Sequence, residues 1–425
     1  MTARDFFVLM IVLFPSHDTT GGTVLGASGD FNVTRATTAT RVNASGLIES
    51  VASGIPRLDY FASGGTVGCP ALLVEPAATN GILNSQDTAT SWILGANLSS
   101  GYVDVIGVSG NNLTVAVSGG NMVTNAGSLR RVSNNMALAS GSTYTISFLM
   151  KKTGTHTIGA YYAVIGGLDV AAGFNVSGSF SSGQILTNAF VTNRIRRVEQ
   201  WGTNVYRCSE TFTMTSGVTF TNLYIGPTVS TTSATHPAVG LGIAFAAPQI
   251  ELGAVPTTFI PTTTAAATRN ADVINLSGAV SGCIGQTEGT IYAEFEYKTN
   301  TAERRLIALS NGTSSDRVMI WTLSNVLYVQ VEGNSVTLAN PISAGYHKVA
   351  FAYQQNGVSG NLFASLDGAA VVSGTSAAFP ASLTDINIGK SEDTATSAFF
   401  WNANIRALAL YTTRLTNAQL QALTT

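Results

Sequence analysis

The sequence predicts an all-β chain built from tandem β-sandwich (jelly-roll) domains, and three observations support this prediction. Charged residues make up only 10% of the 425 positions, while Gly, Ser, Thr and Asn supply much of the polarity. Short alternating or apolar runs follow one another from about residue 95, with turn residues roughly every ten positions. Only one helix is well signalled, at the C-terminal end, so sheets must supply the core.

The clearest predicted strands are short runs rich in β-branched and aromatic residues. They are Thr143–Met150, Val218–Ile225, Thr290–Tyr297, His347–Tyr353 and Ile405–Tyr411. Each run is long enough for one strand, and turn residues separate the runs. This spacing is typical of sandwiches or barrels.

The predicted helix begins after Thr416 and runs to about Leu423. Thr416 and Gln419 have the spacing of a capping box, and Leu415 and Leu420 have the spacing of a hydrophobic staple. Because the helix follows the last predicted strand directly, we expect it to close the end of the last sandwich.

A chain of this length has room for two or three cores. Prolines and a Thr/Ala run interrupt the strand pattern at Val255–Thr268, and a second linker is predicted near Asn80–Asp87. The predicted division is an N-terminal attachment segment at 1–85 and sandwiches at 86–262 and 263–425.

The low and balanced charge excludes nucleic acid as a partner and favours contacts with neighbouring subunits. The net charge is −2 with no basic stripe, which excludes a nucleic-acid partner. The mean hydropathy of +0.25 with so few charges predicts that neighbouring subunits cover part of the surface. Cys69, Cys208 and Cys283 are far apart in sequence, and their odd number argues against a disulfide scaffold.

The apolar run Phe6–Phe14 is too short to span a bilayer and has two interpretations. It resembles the core of a secretory signal, or it is a β-rich segment buried against a neighbour in an assembly. No clear small-residue cleavage site follows Pro15 closely, which favours burial. Both interpretations stay open at this point.

The first segment carries four motifs in a fixed order over about fifty residues, namely Arg35–Asn43, Gly46–Val51, Pro56–Tyr60 and Cys69–Asn80. Together they resemble a module common in phage tail-fibre and head-fibre proteins, although Ala78 stands where that family usually has Arg. The arginines of this region, Arg35, Arg41 and Arg57, face Glu49, Asp59 and Glu75. They form either paired, conformation-fixing contacts or ordinary surface pairs.

The other two segments resemble known sandwiches. Val205–Phe212 and Pro248–Pro261 are similar to strands of the carbohydrate-binding-module-like sandwiches that often follow the first module in such fibres. The third segment resembles a concanavalin A-like, or laminin G-like, jelly roll, with an Asp-Gly turn at Asp367. The motifs that carry this second resemblance are Thr290–Tyr297, Gly345–Tyr353, Leu362–Gly368, Ile386–Gly389, Ile405–Tyr411 and Arg414–Leu420.

The sequence predicts neither catalysis nor a bound metal or cofactor. Glu294 and Glu296 share a strand face, but the third acidic residue that glycan-cleaving relatives carry is absent, so we expect a solvated face. The four histidines, His17, His156, His236 and His347, form no metal or triad motif. A calcium site at Asp385, Glu392 and Asp393 is the alternative to a simple charged loop, which is favoured.

Glycan binding by a sandwich needs an aromatic ring against the sugar and polar side chains around it. We assign these rings to Tyr161, Tyr162, Trp201, Trp321 and Trp401, with Trp92 and Tyr328 as further candidates. Adjacent strand residues point to opposite faces, so one ring of the pair Tyr161 and Tyr162 is expected to be exposed.

The resulting functional expectation is a structural fibre protein of the phage virion, on tail or head, that displays sandwiches for adhesion to host-surface glycans. A homotrimer that attaches to other virion proteins through residues 1–85 is expected. The alternative is a purely architectural capsid-decoration or tail protein without a receptor, and a depolymerase is a remote third possibility. The receptor, the host and the head or tail position are not determined by the sequence.

Overall fold

The computed structural model describes residues 8–11, 31–60, 70–88, 91–93, 98–105, 112–118, 130–152, 156–177, 180–202, 205–232, 242–277, 283–299, 302–393 and 399–425. Within these residues strands are the main secondary structure, and the one helix is short and C-terminal. The predicted all-β architecture is confirmed. No helix of the described part is long and apolar enough to cross a membrane.

The described part of the predicted segment 1–85 holds seven short strands. Short strands cannot form an independent sheet with a core of their own. They are β1 (Val8–Ile11), β2 (Asn32–Thr34), β3 (Ala39–Val42), β4 (Ile48–Val51), β5 (Arg57–Asp59), β6 (Ala71–Val74) and β7 (Ala78–Asn80).

The middle segment contributes strands β8 to β18, most of them long. Their bounds are β8 (Leu98–Val105), β9 (Asn112–Ser118), β10 (Arg130–Leu138), β11 (Thr143–Lys152), β12 (Ile158–Ile165), β13 (Leu168–Asn175), β14 (Ser181–Leu186), β15 (Val191–Gly202), β16 (Val205–Met214), β17 (Val218–Pro227) and β18 (Gly242–Leu252). They form a five-stranded sheet in the order β10-β17-β12-β13-β14 and a six-stranded sheet in the order β15-β16-β11-β18-β9-β8. Apolar side chains such as Phe148, Tyr161 and Phe245 fill the space between the two sheets.

The last segment contributes twelve strands and the helix. Their bounds are β19 (Ala267–Arg269), β20 (Val273–Ser277), β21 (Glu288–Tyr297), β22 (Arg304–Ser310), β23 (Arg317–Leu323), β24 (Val326–Val331), β25 (Asn334–Ala339), β26 (Gly345–Asn356), β27 (Ser359–Leu366), β28 (Val372–Ser376), β29 (Asp385–Ile388), β30 (Ala403–Tyr411) and α1 (Asn417–Thr424). The five strands and the helix predicted from sequence are all present.

Strands of the first segment complete the two sheets of the last sandwich. One sheet has the order β2-β20-β29-β22-β23-β24-β25 and the other β28-β27-β26-β21-β30-β6-β5, with β1 paired to β30. Strands β2, β5 and β6 therefore belong to this sandwich, whereas β3 and β4 form a separate two-stranded sheet and β7 pairs with β19. The domain boundaries stay predictions, but the first and third predicted segments share sheets.

The apolar N-terminal run lies partly in the described residues. Its strand β1 pairs antiparallel with β30, with Val8 opposite Tyr411 and Ile11 opposite Leu408. The rest of Phe6–Phe14 lies outside the described residues. The contact of β1 is thus with the same chain, whereas the sequence analysis weighed a neighbouring subunit or a signal.

The predicted linker Val255–Thr268 is not an exposed connection over its whole length. Val255, Phe259 and Ile260 are 4 to 5% exposed, and only the stretch 263–266 is continuously exposed. The second predicted linker is also packed, because the Asn80 side-chain amide donates to the Ile260 carbonyl at 2.9 Å. Threonine hydroxyls satisfy buried backbone groups here, which allows an irregular segment to be buried.

The C-terminal helix has the predicted caps. The Thr416 side chain accepts from the Gln419 backbone N–H, and the Gln419 side chain accepts from the Thr416 backbone N–H. Leu415 and Leu420 are buried together against Ala350 and Ala352 on the outer face of the sheet. The helix therefore covers one outer face of the last sandwich, whereas the sequence analysis expected it to close the end of that sandwich.

Candidate functional site

The other sheet of the last sandwich carries a row of large planar side chains on its outer face. Arg305, Trp321, Tyr328 and Thr337 lie directly opposite one another on β22, β23, β24 and β25. Alternate residues of these strands, such as Ile320 and Val329, point into the core. Because successive side chains of a strand point to opposite faces, the row faces away from the core. We call these four residues the outer-face row.

The planar groups of the row are stacked across the strands. The rings of Trp321 and Tyr328 are 4.7 Å apart with an interplanar angle of 24°. The Arg305 guanidinium carbon lies 5.0 Å from the centre of the Trp321 ring. Strands β22 and β24 lie on opposite sides of β23, so Arg305 and Tyr328 lie on opposite sides of the Trp321 ring. The stack therefore has its free faces at its two ends.

Phe399 extends the stack beyond Arg305. The Arg305 guanidinium carbon lies 4.9 Å from the Phe399 ring centre, and the Arg305 backbone N–H donates to the Phe399 carbonyl at 2.8 Å. Phe399 is 39% exposed, and its φ of 54° is in the left-handed region. A bulky residue in that region is strained, and such strain persists where the surroundings hold it. The fold thus holds an aromatic ring at the surface at one end of the stack.

Two carboxylates hold the guanidinium in the stack. Arg305 pairs with Glu303 and, at 3.1 Å, with Glu392, which also pairs with Arg317. Burial favours the neutral acid, but the hydrogen bond from its own backbone N–H and the charges of both arginines lower the pKa of the Glu392 carboxyl. Glu392 therefore stays ionised at neutral pH and keeps the row rigid.

The side of this face at β24 and β25 is polar, with neutral groups along the strands and Glu332 at the turn between them. Ser335 and Thr337 are exposed, and the Ser335 hydroxyl donates to the Gln330 side-chain carbonyl at 3.0 Å. Tyr328 is half-buried beside them. An aromatic ring bordered by hydroxyl and amide groups is the arrangement that sugar rings and their hydroxyls require.

The structure places most of the sequence-predicted rings elsewhere. Tyr161 is fully buried between the two sheets of the middle sandwich, where its hydroxyl donates to the Glu210 carboxylate. Tyr162 points to the outer face but is only 3% exposed. The expectation that one of the two tyrosines is exposed is wrong, because Tyr162 packs against Ile185, Leu186 and other side chains of its own sheet. The prediction that Tyr161 and Tyr162 point to opposite faces of the sheet was correct, but strand alternation does not reveal which side chains cover the outer face.

Two further candidate tryptophans are also buried. Trp401 is 4% exposed in the last core, and its indole N–H donates to the Glu296 carbonyl at 3.0 Å. Trp92 is 3% exposed, and its N–H donates to the Asn84 carbonyl. Neither ring is accessible to a sugar, as is usual for large aromatics of a sandwich.

Trp201 and Trp321 are partly exposed. Trp201 packs with Ile48 and Phe259 where the first segment meets the middle sandwich, and the Arg207 guanidinium carbon lies 5.1 Å from its ring centre. Of the predicted rings, Trp321 and the further candidate Tyr328 lie in the outer-face row. Sequence reasoning missed Phe399 and Arg305, since a strand pattern shows neither a cross-strand stack nor a left-handed phenylalanine.

A second cluster of polar residues is fully buried between the three predicted segments. Arg57 pairs with Glu75 at 2.8 Å and also with Asp272. Arg35 contacts the other oxygen of Asp272 at 2.8 Å, and Arg269 contacts Glu75 at 2.7 Å. We call these five residues the junction cluster. For Arg35 and Arg57 the interpretation as paired, conformation-fixing contacts is confirmed.

Thr258 joins the exit segment of the middle sandwich to the junction cluster. Its backbone N–H donates to one oxygen of Glu75 at 2.8 Å and its hydroxyl to the other at 2.7 Å. Ala78 lies directly opposite Arg269 in the ladder, so the guanidinium beside Glu75 comes from the neighbouring strand. Arg41 and Glu49 are 23% and 34% exposed and form an ordinary surface pair.

Burial acts to raise the pKa of two carboxyls of this region, but the net shifts are opposite. Burial favours the neutral form of Glu75, but Arg269, Arg57 and the Thr258 hydroxyl outweigh it, so its pKa lies well below the usual range. Burial raises the pKa of Asp59 to about 6, against the hydrogen bond that its carboxylate accepts from the Val42 N–H at 2.7 Å. The junction cluster thus holds Glu75 ionised, whereas the burial of Asp59 is only partly compensated.

Ser343, His347 and Asp367 lie together, but the nearer partner of the His347 Nε2 atom is the Ser343 backbone carbonyl at 2.9 Å, whereas the Ser343 hydroxyl lies at 3.4 Å. The hydroxyl is therefore not aligned as the nucleophile of a triad. His347 contacts the Asp367 carboxylate at 2.6 Å beside a shallow surface cavity of about 290 Å³.

Glu294 contacts Arg406 at 3.3 Å, and Glu296 accepts from the Asn404 side chain at 3.1 Å. Within the described ranges no three His, Cys, Asp or Glu side chains could hold a metal.

The calcium alternative finds no support, because Glu392 is occupied by two arginines. Cys208 is a buried free thiol and Cys283 a half-buried one, whereas Cys69 lies outside the described residues. His17 and His236 also lie outside them. His156 is buried, and burial lowers its pKa.

Comparison with known proteins shows similarity to sandwich domains. No protein-family profile and no curated sequence matches the chain. The CBM40 domain of the Ruminococcus gnavus IT-sialidase bound to α2,3-sialyllactose is 18% identical, with 34% of this chain and 86% of that chain aligned at a TM-score of 0.29. Leech intramolecular trans-sialidase is 14% identical over 35% of this chain and 26% of that chain, with a TM-score of 0.30.

The mouse laminin α1 chain, domains LG4-5, is 10% identical, with 76% of this chain and 97% of that chain aligned at a TM-score of 0.23. Carbohydrate-binding modules and laminin LG domains are thus among the structural neighbours. At these identities the similarity concerns the β-sandwich fold alone.

Proposed function

We propose that this chain is a non-enzymatic, glycan-binding structural protein, and that the outer-face row with Phe399 is its binding site. The observation that carries the proposal is the stack on one outer sheet face, whose ends are the exposed Phe399 ring and the half-buried Tyr328 ring. Hydroxyl and amide groups border the Tyr328 end. Such a site binds a sugar by ring stacking and hydrogen bonding, with no reacting group.

A glycan array with the full chain tests this proposal. Tyr328→Ala removes one end of the stack and Phe399→Ala the other, and loss of a stacking contact should weaken binding about tenfold. Phe180→Ala is the matched control, because Phe180 is 45% exposed but belongs to the middle sandwich. If neither variant differs from the control, this face is not the glycan site.

We further propose that the protein is a fibre of a phage virion, on tail or head, and that it forms a trimer. The support is the resemblance of the motifs between Arg35 and Asn80 to fibre modules, together with the low charge of the chain. Cryo-electron microscopy of the intact particle tests this. A projecting trimer is the expected result, and absence of the chain from the particle would refute it.

The architectural role without a receptor remains the second candidate. The junction cluster favours it, because buried ion pairs join the first and third predicted segments and hydrogen bonds from Thr258 tie the middle segment to them, as a rigid shell or tube component requires. A flat, interlocked position in the particle together with no glycan on the array would select this role.

A further inference from the structure

We infer that the outer-face row binds an uncharged oligosaccharide and not an acidic one; this inference rests on the proposed glycan-binding function. The arginines of the face are already paired with carboxylates and Lys390 donates to a side-chain amide, while the half-buried Glu332, at the turn between β24 and β25, adds a further acid. The pairing of the cations and the polar chemistry of the accessible part together determine which class of ligand the face can bind.

The two arginines of the face have no unbalanced charge to offer an anion. The Arg305 side chain is 5% exposed and is shared between Glu303 and Glu392. Arg317 is 21% exposed and pairs with Glu392 as well. A sugar carboxylate that approached either guanidinium would meet these carboxylates first. Bringing a third acid into such a partly buried site is unfavourable.

The remaining cation is equally unavailable. Lys390 is 1% exposed, and its ammonium donates to the Asn387 side-chain carbonyl at 2.9 Å. Asp385, Glu392 and Asp393 are the charged groups that raise its pKa, while burial, the larger effect, lowers it. Together the three cations of this face lie among four acids, namely Glu303, Asp385, Glu392 and Asp393, so the local charge does not attract anions.

The accessible part of the face has the chemistry of a neutral site. Tyr328 offers a ring, and Thr337, Ser335 and Gln330 offer hydroxyl and amide groups along β24 and β25. These groups donate to and accept from sugar hydroxyls without a charge. Neighbouring strands lie about 4.8 Å apart, so a row across four strands extends over roughly 14 Å, which suits an oligosaccharide.

Calorimetry with matched ligands tests the inference. A neutral oligosaccharide that the array identifies and its sialylated form are titrated into the full chain at low and high salt. We expect the neutral sugar to bind more tightly, with an affinity that changes less than about twofold across salt, because uncharged contacts are not screened. Thr337→Glu, at an exposed position that spares the fold, should weaken the neutral sugar several-fold, whereas Phe180→Ala should leave it unchanged.

The outcomes separate the two proposals. Tighter binding of the sialylated form at this face, weakened by salt, would overturn the neutral class and leave the glycan-binding function intact. If the array finds no glycan ligand, or if binding is unaffected by Tyr328→Ala and Thr337→Glu, the proposed site itself is wrong. Circular dichroism of each variant shows whether a loss of binding reflects a loss of fold.

Discussion

Replacing Glu75 by glutamine should strongly destabilise the protein, although the substitution preserves the shape of the side chain. Glu75 is 1% exposed and pairs with Arg57 at 2.8 Å and Arg269 at 2.7 Å. The variant leaves the three buried guanidiniums of the junction cluster with Asp272 as their carboxylate. Removing one partner of a buried ion pair costs about 3 to 5 kcal/mol, because the remaining charge stays desolvated.

The matched control is Glu49→Gln. Glu49 has the same chemistry, but it is 34% exposed and pairs with Arg41 near the surface. Such pairs contribute about 0 to 1 kcal/mol. Urea unfolding of both variants, followed by far-ultraviolet circular dichroism, gives the two free energies of unfolding.

Acid should remove the difference between wild type and Glu75→Gln. The pKa of Glu75 is lowered in the folded protein by Arg269 and Arg57 despite burial. Its contribution is therefore complete above the pKa of the unfolded chain, about 4.3, and is lost as the pH falls below that value. A loss at pH 7 of less than about 1 kcal/mol, equal to that of the control, would refute the reasoning.

Three further predictions follow from burial and close packing. Asp59→Asn should stabilise the protein by about 1 to 3 kcal/mol above pH 6, because burial of the charged carboxylate raises the pKa of Asp59 to about 6. Urea unfolding measures this gain, which should disappear as the pH falls towards 4, where the carboxyl of the wild type is neutral in the folded protein. Limited proteolysis followed by mass spectrometry should cut within the exposed stretch 263–266, and initial cleavage inside Val255–Ile260 would contradict the packing of that segment. Gly285→Ala should lower the unfolding free energy by about 1 to 3 kcal/mol or more, since a Cβ there would lie 1.7 Å from a backbone carbonyl oxygen. Gly333→Ala meets no atom within 4 Å and should leave the thermal midpoint nearly unchanged.

Glycan binding at the proposed site depends on a stack that several planar side chains form together. Arg305 holds Phe399 and Trp321 on either side, so a change at Glu392 would loosen both. A residue that acts through the stack holds the binding groups in position but does not itself touch the sugar. This distinguishes Glu392 from Tyr328, whose ring is itself a contact in the proposed site.

The sequence by itself determined the all-β class, the five clearest strands and the capped C-terminal helix. These features are local: strand alternation, turn residues and the capping box at Thr416 and Gln419 are determined by residues a few positions apart.

Only the tertiary structure decided which side chains share a surface and which are covered. Arg57 and Asp272 are 215 positions apart, and Arg305 and Phe399 meet only because β22 lies beside the loop that precedes β30. The same sequence pattern leaves Tyr162 buried and Tyr328 half-exposed, because exposure depends on what packs over each sheet face. Contacts across a fold depend on strand order and register, which a single sequence does not encode in any short stretch.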